Sequence, residues 1–359
     1  MRFLLHGATN WNSTNFGDFL YAYEIYRYLK QNSDNQVGFY QPSDYFVKYL
    51  NSNGVKTDCV SFKNADYLIY IPGGYFGEGH NARFRDTLIQ YIRFMPFGLK
   101  AVIGKKKLIA VGVGAGPIDR WFMKSAVKSV CKNSIAVTTR DKESQDALKS
   151  IGINNVPEYS DMMLAYDLKT VSENTEQIDS VIKYAEDYKI LMVHYNHSKE
   201  ALEKFALAVN DFVKDHKEYK VVVTADSILP YEDEYLQTFK DLCKCEVFHF
   251  IYDNPFEMLK LIDLSDVILT CKLHVGVVGG MFNKSVICIA EHPEKTQRFY
   301  DLINYPQNCV SLYEATEEYI KVLLSDLHNK PICIPDAETQ KAKLHWDVID
   351  NVIEGIYEK

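Results

Sequence analysis

What this sequence lacks narrows its function before any motif is read. Positive charge is not in excess: 48 acidic side chains face 40 basic ones, a net charge of −8, and the pI is near 5.7. That balance argues against a nucleic-acid partner, because neutralising phosphates needs a basic face. An anionic small molecule must then be met by locally placed cations rather than by a global field. No apolar run approaches the roughly 18 residues of a membrane-spanning helix, so no span is expected. The opening MRFLLHGATN has only a short apolar run and no small-residue cleavage site, so this stretch is not expected to act as a secretory leader. The cysteines are scattered, and the close pair Cys243 and Cys245 has no second pair at zinc-finger spacing. They read as reduced thiols in a cytoplasmic protein, with no metal bound through them. Internal repeats and low-complexity tracts are absent too.

What is present is an alternation of strands and helices. At 359 residues the chain suits two domains, since single cores rarely outgrow about 250 residues. Short apolar runs such as RFLLHG, DYLIYI, LIAVGVG and SIAVTT are separated by longer segments of helical period, including FLYAYEIYRYLK, YFVKYLNSNG and FRDTLIQYIRFM. Continuous Val/Ile/Leu strands with intervening helices indicate a parallel sheet covered on both faces. A polar, acidic stretch from Leu168 to Asp187 interrupts the pattern, and KILMVHYN, KVVVTADS, EVFHFIY, VILTC and SVICIA then resume it. The expected organisation is an N-terminal α/β domain over 1–167, a C-terminal one over 168–335, and a closing segment, 336–359. The helix WDVIDNVIEGIYEK in that last segment is expected to cross back onto the first domain. Two doubly wound domains would face each other across a cleft.

Ligands of doubly wound sheets bind where strands end at their carboxyl edge, so the residues in those turns carry the functional signal. After the first strand, GATNWNSTNFGD supplies Gly7, Asn10, Asn15, Gly17 and Asp18. Such a loop can present backbone N–H groups at a helix start, while Asp18 also fits a plain N-cap. PGGYFGEG contributes Gly73, Gly74, Gly77 and Gly79, and the turn after LIAVGVG contributes Gly116. Glycines there permit close backbone approach by a ligand, or merely tight turns. SIAVTT ends at Arg140-Asp141. This fits a local ion pair and cap, yet arginine is also the preferred bidentate grip on carboxylate or phosphate.

The strongest signal is VILTCKLHVGVVGG, where a buried strand runs into Lys272 and His274. Residues two apart at a strand end share a face, so the ammonium and imidazole should project together. The cation would keep the imidazole neutral and usable as a base. Lys295, in HPEKTQRF after the next strand, adds a positive charge at the same edge. One reading unites these turns: an anionic small molecule held by Arg140, Lys272 and Lys295, with His274 moving a proton.

The ordered set NxGD, PGG, GxGAGP, TRDKESQDAL with a following GI and SDMM strand, and CKLHVGVVGGMFNKSVICIAEHPEK resembles the polysaccharide pyruvyl transferase family over nearly the whole chain. The resemblance implies two Rossmann-like domains in a GT-B-like arrangement. It also implies transfer of the enolpyruvyl unit of phosphoenolpyruvate onto a sugar or lipid-linked glycan as a ketal, with no cofactor and no metal. On that basis Arg140 and Lys272 would hold the donor's phosphate and carboxylate. His274 would be the general acid/base, Asn15, Gly17 and Asp18 would line the cleft, and Gly73, Gly74 and Gly116 would let substrate approach the main chain. The family's usual arginine two residues before the histidine is Lys272 here, which keeps the charge and loses the fork. Asp18 and Glu78 are candidates for delivering the carbon-bound proton.

Two other readings stay open on the sequence. One is a glycosyltransferase using a nucleotide sugar on the same fold, with Asp226 or Asp253 on the ribose. The other is a catalytically inactive homologue that only binds ligand. Neither the acceptor nor the oligomeric state is legible.

Overall fold

The computed structural model describes residues 1–357 except 12, 53, 54, 56, 81, 196, 197 and 230. Asn12 of the first loop, the end of the expected YFVKYLNSNG helix, Asn196 of the expected KILMVHYN strand and the last two residues of the terminal segment therefore lie outside the described residues.

Apolar strand segments form two parallel sheets. The first contains β1 (Arg2–His6), β2 (Gln36–Phe39), β3 (Tyr67–Tyr70), β4 (Lys107–Val113) and β5 (Ala136–Thr139), in the order β2-β1-β3-β4-β5. The second contains β6 (Lys189–His194), β7 (Tyr219–Thr224), β8 (Val247–His249), β9 (Val267–Thr270), β10 (Ser285–Ala290) and β11 (Cys309–Ser311), in the order β11-β10-β9-β6-β7-β8. The central strands YLIY, VILT and SVICIA are buried at every position, as strands covered on both faces must be. The three-residue edge strand β11 escaped the sequence reading because it is too short to show a pattern.

Helices connect the strands. In the first half these are α1 (Phe16–Lys30), α2 (Asp44–Ser52), α3 (Phe84–Ile103), α4 (Trp121–Asn133) and α5 (Lys142–Ser150). In the second they are α6 (Glu176–Ala185), α7 (Lys199–Asp215), α8 (Glu232–Leu242), α9 (Pro255–Leu264), α10 (Leu273–Met281), α11 (Pro293–Leu302) and α12 (Glu317–Leu327), before the terminal α13 (Asp336–Ile353).

The chain divides into two compact units: Met1–Thr14 with Asp18–Tyr166 and Ala337–Lys359, and Asn15–Gly17 with Asp167–Asp336. In the first unit, one core layer packs Phe94, Met95 and Phe97 of α3 and Val127 and Val130 of α4 against Leu68, Tyr70 and Ala110. In the second, Phe205, Val209 and Phe212 of α7 and Leu324 of α12 pack on Leu191, Val221 and Ile287. Within the first unit α13 is fastened to α1. The Tyr28 hydroxyl donates to Asp350 Oδ2 at 2.6 Å, and the Tyr28 ring stacks on Trp346 with centroids 4.0 Å apart.

Two local expectations are corrected. The polar stretch after Leu168 contains α6, started by Thr175, whose hydroxyl accepts the Ile178 N–H. Ile178, Val181 and Ala185 form its buried stripe, which the surrounding acidic residues mask in the sequence. SDMM is not a strand but a short 3₁₀ turn, Met162–Ala165, because Asp161 caps it by accepting the Met163 N–H.

In both sheets the chain reverses its direction of winding beside the first strand, at β1/β3 and at β6/β9. Ligand crevices of doubly wound folds open at the carboxyl ends of strands flanking such a reversal.

Candidate active site

In the second unit four strand ends deliver polar side chains to that edge. His194 ends β6, Asp226 follows β7, Thr270 ends β9 and Glu291 follows β10. His194 lies with Nε2 3.4 Å from Asp226 Oδ1 and shares Nδ1 with the Thr270 hydroxyl at 3.0 Å. Asp226 is 1% exposed. Its Oδ2 accepts from Asn15 Nδ2 at 3.0 Å, and its carbonyl accepts from Phe16 N–H at 2.9 Å. Burial pushes the Asp226 carboxyl up, but His194, Lys272 and His274 outweigh it and hold the group at about 2. It is therefore a fixed anion at neutral pH.

Lys272 and His274 flank this anion. Lys272 is the extended residue before α10, with φ −121° and ψ 143°, and His274 sits in the helix's first turn. This differs from a shared strand face, because the small, apolar LHVGVVGGM segment turns helical at once around the buried Leu273. Lys272 Nζ pairs with Glu291 Oε2 at 2.9 Å. Burial opposes its charge, but Asp226 and Glu291 outweigh that and raise the ammonium above the ordinary lysine value. His274 packs on Gly17, where a β-carbon would stand 2.0 Å from Nδ1. Asn15, Gly17, Lys272 and His274 are thus brought together by Asp226. Lys295 lies exposed in the first turn of α11, near His292, which burial and then the Lys295 and Lys272 charges hold below the usual histidine range.

In the first unit Arg140 is the central cation. Its side chain is 12% exposed and lies 3.8 Å from both Asp141 Oδ2 and Asp161 Oδ2, beyond hydrogen-bonding distance of either. Burial opposes its charge, and Tyr21, Asp161 and Asp141 more than offset that, raising the guanidinium above the usual arginine value. Asp161 is steadied by the Tyr21 hydroxyl, which donates to its Oδ1 at 2.6 Å. A β-carbon on Gly114 would stand 3.1 Å from Arg140 Nε and 3.2 Å from the Gly74 Cα, so the guanidinium lies against both glycine turns. Gly74 is exposed with open space where a side chain would be. The Arg-Asp-x-x-Ser spacing has a local reason: Asp141 accepts the Ser144 N–H at 2.7 Å, and the Ser144 hydroxyl accepts the Ala115 N–H at 2.9 Å.

Other candidates have structural duties. Gly116 packs on the main chain, where a β-carbon would stand 2.3 Å from Glu78 O, and one on Gly73 would stand 2.1 Å from the Tyr75 ring. The Glu78 carboxylate accepts the Arg120 N–H at 2.6 Å and pairs with Arg120 Nε at 2.9 Å. Asp18 lies in the first turn of α1, and its charge acts on Arg93 and Tyr75. Arg93 Nε donates to Asn10 Oδ1 at 2.6 Å and fastens the loop after β1. Of the two aspartates considered for a ribose, Asp226 is buried and Asp253 is exposed.

The sequence reading missed His194, Glu291, Asp161, Tyr21 and Arg93. His194 carried a usable signal, being a polar residue that ends an otherwise apolar buried strand. Among the described residues, the grouping able to converge on a metal is His216, Glu218 and His328, at the amino end of β7.

A model of the polysaccharide pyruvyl transferase family matches residues 15–293, most of the chain. No curated protein matches the sequence. Among solved structures, UDP-GlcNAc 2-epimerase from Neisseria meningitidis bound to UDP-GlcNAc is similar with a TM-score of 0.65 at 12% identity, over 99% of this chain and 100% of that one. UDP-GlcNAc 2-epimerase from Methanocaldococcus jannaschii is similar with a TM-score of 0.66 at 12% identity, over 97% of this chain and 99% of that one. At such identities the likeness shows the fold alone, GT-B-like with two Rossmann-like halves.

Proposed function

This chain belongs to the polysaccharide pyruvyl transferase family, and from that premise we propose that it moves the enolpyruvyl group of phosphoenolpyruvate onto a sugar hydroxyl pair as a ketal. The observation that carries the reading is the His274 ring, set at the start of α10 beside the Lys272 ammonium and the buried Asp226 anion. In the reaction the donor's methylene carbon gains a proton, leaving C2 electrophilic. One sugar hydroxyl adds to C2 and loses its proton, the C2–O bond to phosphate breaks, and phosphate leaves with the electron pair. The second hydroxyl then adds and loses its proton, so that of the two hydroxyl protons one is matched by the new methyl and one by phosphate.

His274 is assigned the proton transfers at oxygen, a role contributing about 10²–10⁴ in rate. Lys272, with the positive end of α10, stabilises charge on the departing phosphate. Arg140 and Lys295 are assigned to anionic substrate groups. Asn15 and Gly17 shape the surroundings of His274, and Gly74 with Arg140 offers an open approach to the main chain. The acceptor under this reading is a sugar or lipid-linked glycan that presents two hydroxyls to the same carbon.

Incubation with phosphoenolpyruvate and candidate glycans should release phosphate and leave a pyruvate ketal on the acceptor by mass spectrometry. A second reading, an enzyme of nucleotide sugars, is favoured by the fold neighbours solved with such ligands. Thermal shift separates the two. Stabilisation by nucleotide sugars and none by phosphoenolpyruvate would overturn pyruvyl transfer.

A further inference from the structure

The charge of this chain is unevenly placed. Between Arg83 and Lys132 there are eleven basic residues and two acidic ones, Asp86 and Asp119, in a chain whose net charge is −8. This basic stretch spans α3, β4 and α4, and α3 and α4 pack side by side through Phe84, Tyr91 and Phe122.

The outer face of this helix pair is apolar as well as basic. Phe84, Leu88 and Ile92 recur at four-residue spacing along α3 and are exposed, Phe84 at 58% and Ile92 at 54%. Trp121, at the start of α4, is 80% exposed and contacts Phe122 edge-on, with centroids 6.0 Å apart. The Arg120 guanidinium lies 5.5 Å from the Phe84 ring centroid, at the margin of the patch. Arg83 and Arg85 flank Phe84, while Lys124, Lys128 and Lys132 follow Arg120 at four-residue spacing along α4. Such a run lies along one side of a helix. Asp86 is spent on Arg83, with Oδ2 3.1 Å from Nε.

We propose that the α3/α4 face is a docking surface for an anionic lipid bilayer, with Phe84, Ile92 and Trp121 entering the headgroup region and the flanking arginines and lysines meeting lipid phosphates. Exposed aromatic and branched apolar side chains bordered by basic ones are the composition of an interfacial anchor. None of the described helices is long and apolar enough to cross a membrane, so the contact is peripheral. A second copy of the chain is a poorer occupant, because two-fold self-pairing would press two patches of the same positive sign together. The inference rests on this surface and is independent of pyruvyl transfer.

Flotation of the full chain with phosphatidylcholine vesicles containing 30% phosphatidylglycerol, against vesicles of phosphatidylcholine alone, tests it. The expected result is at least about tenfold tighter binding to the anionic vesicles, lost in about 0.5 M salt. Lys124→Glu/Lys128→Glu should lose at least about tenfold in that affinity, and Trp121→Ala/Ile92→Ser should lose binding even at low salt, with melting curves of both variants confirming that they fold. Equal binding to neutral vesicles, no binding to either, or unchanged binding by both folded variants would overturn the proposal. A concentration-dependent dimer in light scattering that Trp121→Ala/Ile92→Ser dissociates would overturn it in favour of self-association.

Discussion

A β-carbon on Gly17 would stand 2.0 Å from Nδ1 of His274, so the glycine backbone and the imidazole ring are in direct contact. Nothing larger than hydrogen fits there unless the ring moves. The family-like N-x-G-D stretch thus has a physical explanation that does not require Gly17 to touch substrate. The two neighbours Asn15 and Phe16 are bound to Asp226, so the glycine is held where it limits the ring.

Gly17→Ala should therefore act on His274. Overpacking of this kind costs about 1–3 kcal/mol, and the displaced ring should lower phosphate release at least about tenfold. Gly74→Ala is the control: its β-carbon meets nothing within 4 Å, so the stability change should stay within about 0.5 kcal/mol. Chemical denaturation of the two variants makes the comparison, and equal effects would remove the packing argument.

His274→Ala should leave the fold intact and reduce phosphate release by at least about a hundredfold, the share of a single acid or base. Binding of phosphoenolpyruvate, followed by thermal shift, should persist. Full turnover in this variant would strip His274 of its assigned role.

Lys272→Ala leaves Asp226 and Glu291 without their common cation. Removing one partner of a largely enclosed pair leaves a carboxylate poorly compensated, with an expected cost of about 1–3 kcal/mol. Lys272→Arg keeps the charge and adds a planar fork, so it should fold as well as the parent and bind phosphoenolpyruvate at least as tightly. Denaturant midpoints and KM for the two variants test this, and a Lys272→Ala protein as stable as the parent would contradict it.

Acid should destabilise the first unit well before its carboxylates titrate. Burial holds His345 at about 4 and His6 at about 3, against 6.5 ordinarily. Between those values the unfolded chain binds protons that the folded chain refuses, so stability is complete above about pH 6.5 and falls as pH drops towards 4. His345 accounts for up to about 3 kcal/mol of that loss. It accepts from Thr138 through Nδ1 at 2.7 Å and donates from Nε2 to Ser160 O at 3.0 Å, an assignment made from these partners. Glutamine can keep both bonds without titrating. His345→Gln should flatten the pH dependence between about 6.5 and 4 in urea titrations, and an unchanged slope would locate the sensitivity elsewhere.

Much of this was legible in one dimension. Continuous Val/Ile/Leu strands alternating with helical segments specify a parallel, doubly wound organisation, because hydrophobic period is a local property of the chain. The ordered motifs likewise identified the family. Lys272 and His274 could be seen as neighbours because they are neighbours in sequence. Only the tertiary structure decided what surrounds them. His194, Asp226 and Glu291 come from three distant segments whose strand ends the second parallel sheet aligns on one edge, Asn15 reaches Asp226 from the segment before α1, and burial there makes each charge depend on the others. It also decided that Glu78 is consumed by Arg120 and that Gly17 is a wall for a ring. Pairing and close approach depend on which chain segments meet in space, and neither residue type nor spacing encodes that directly.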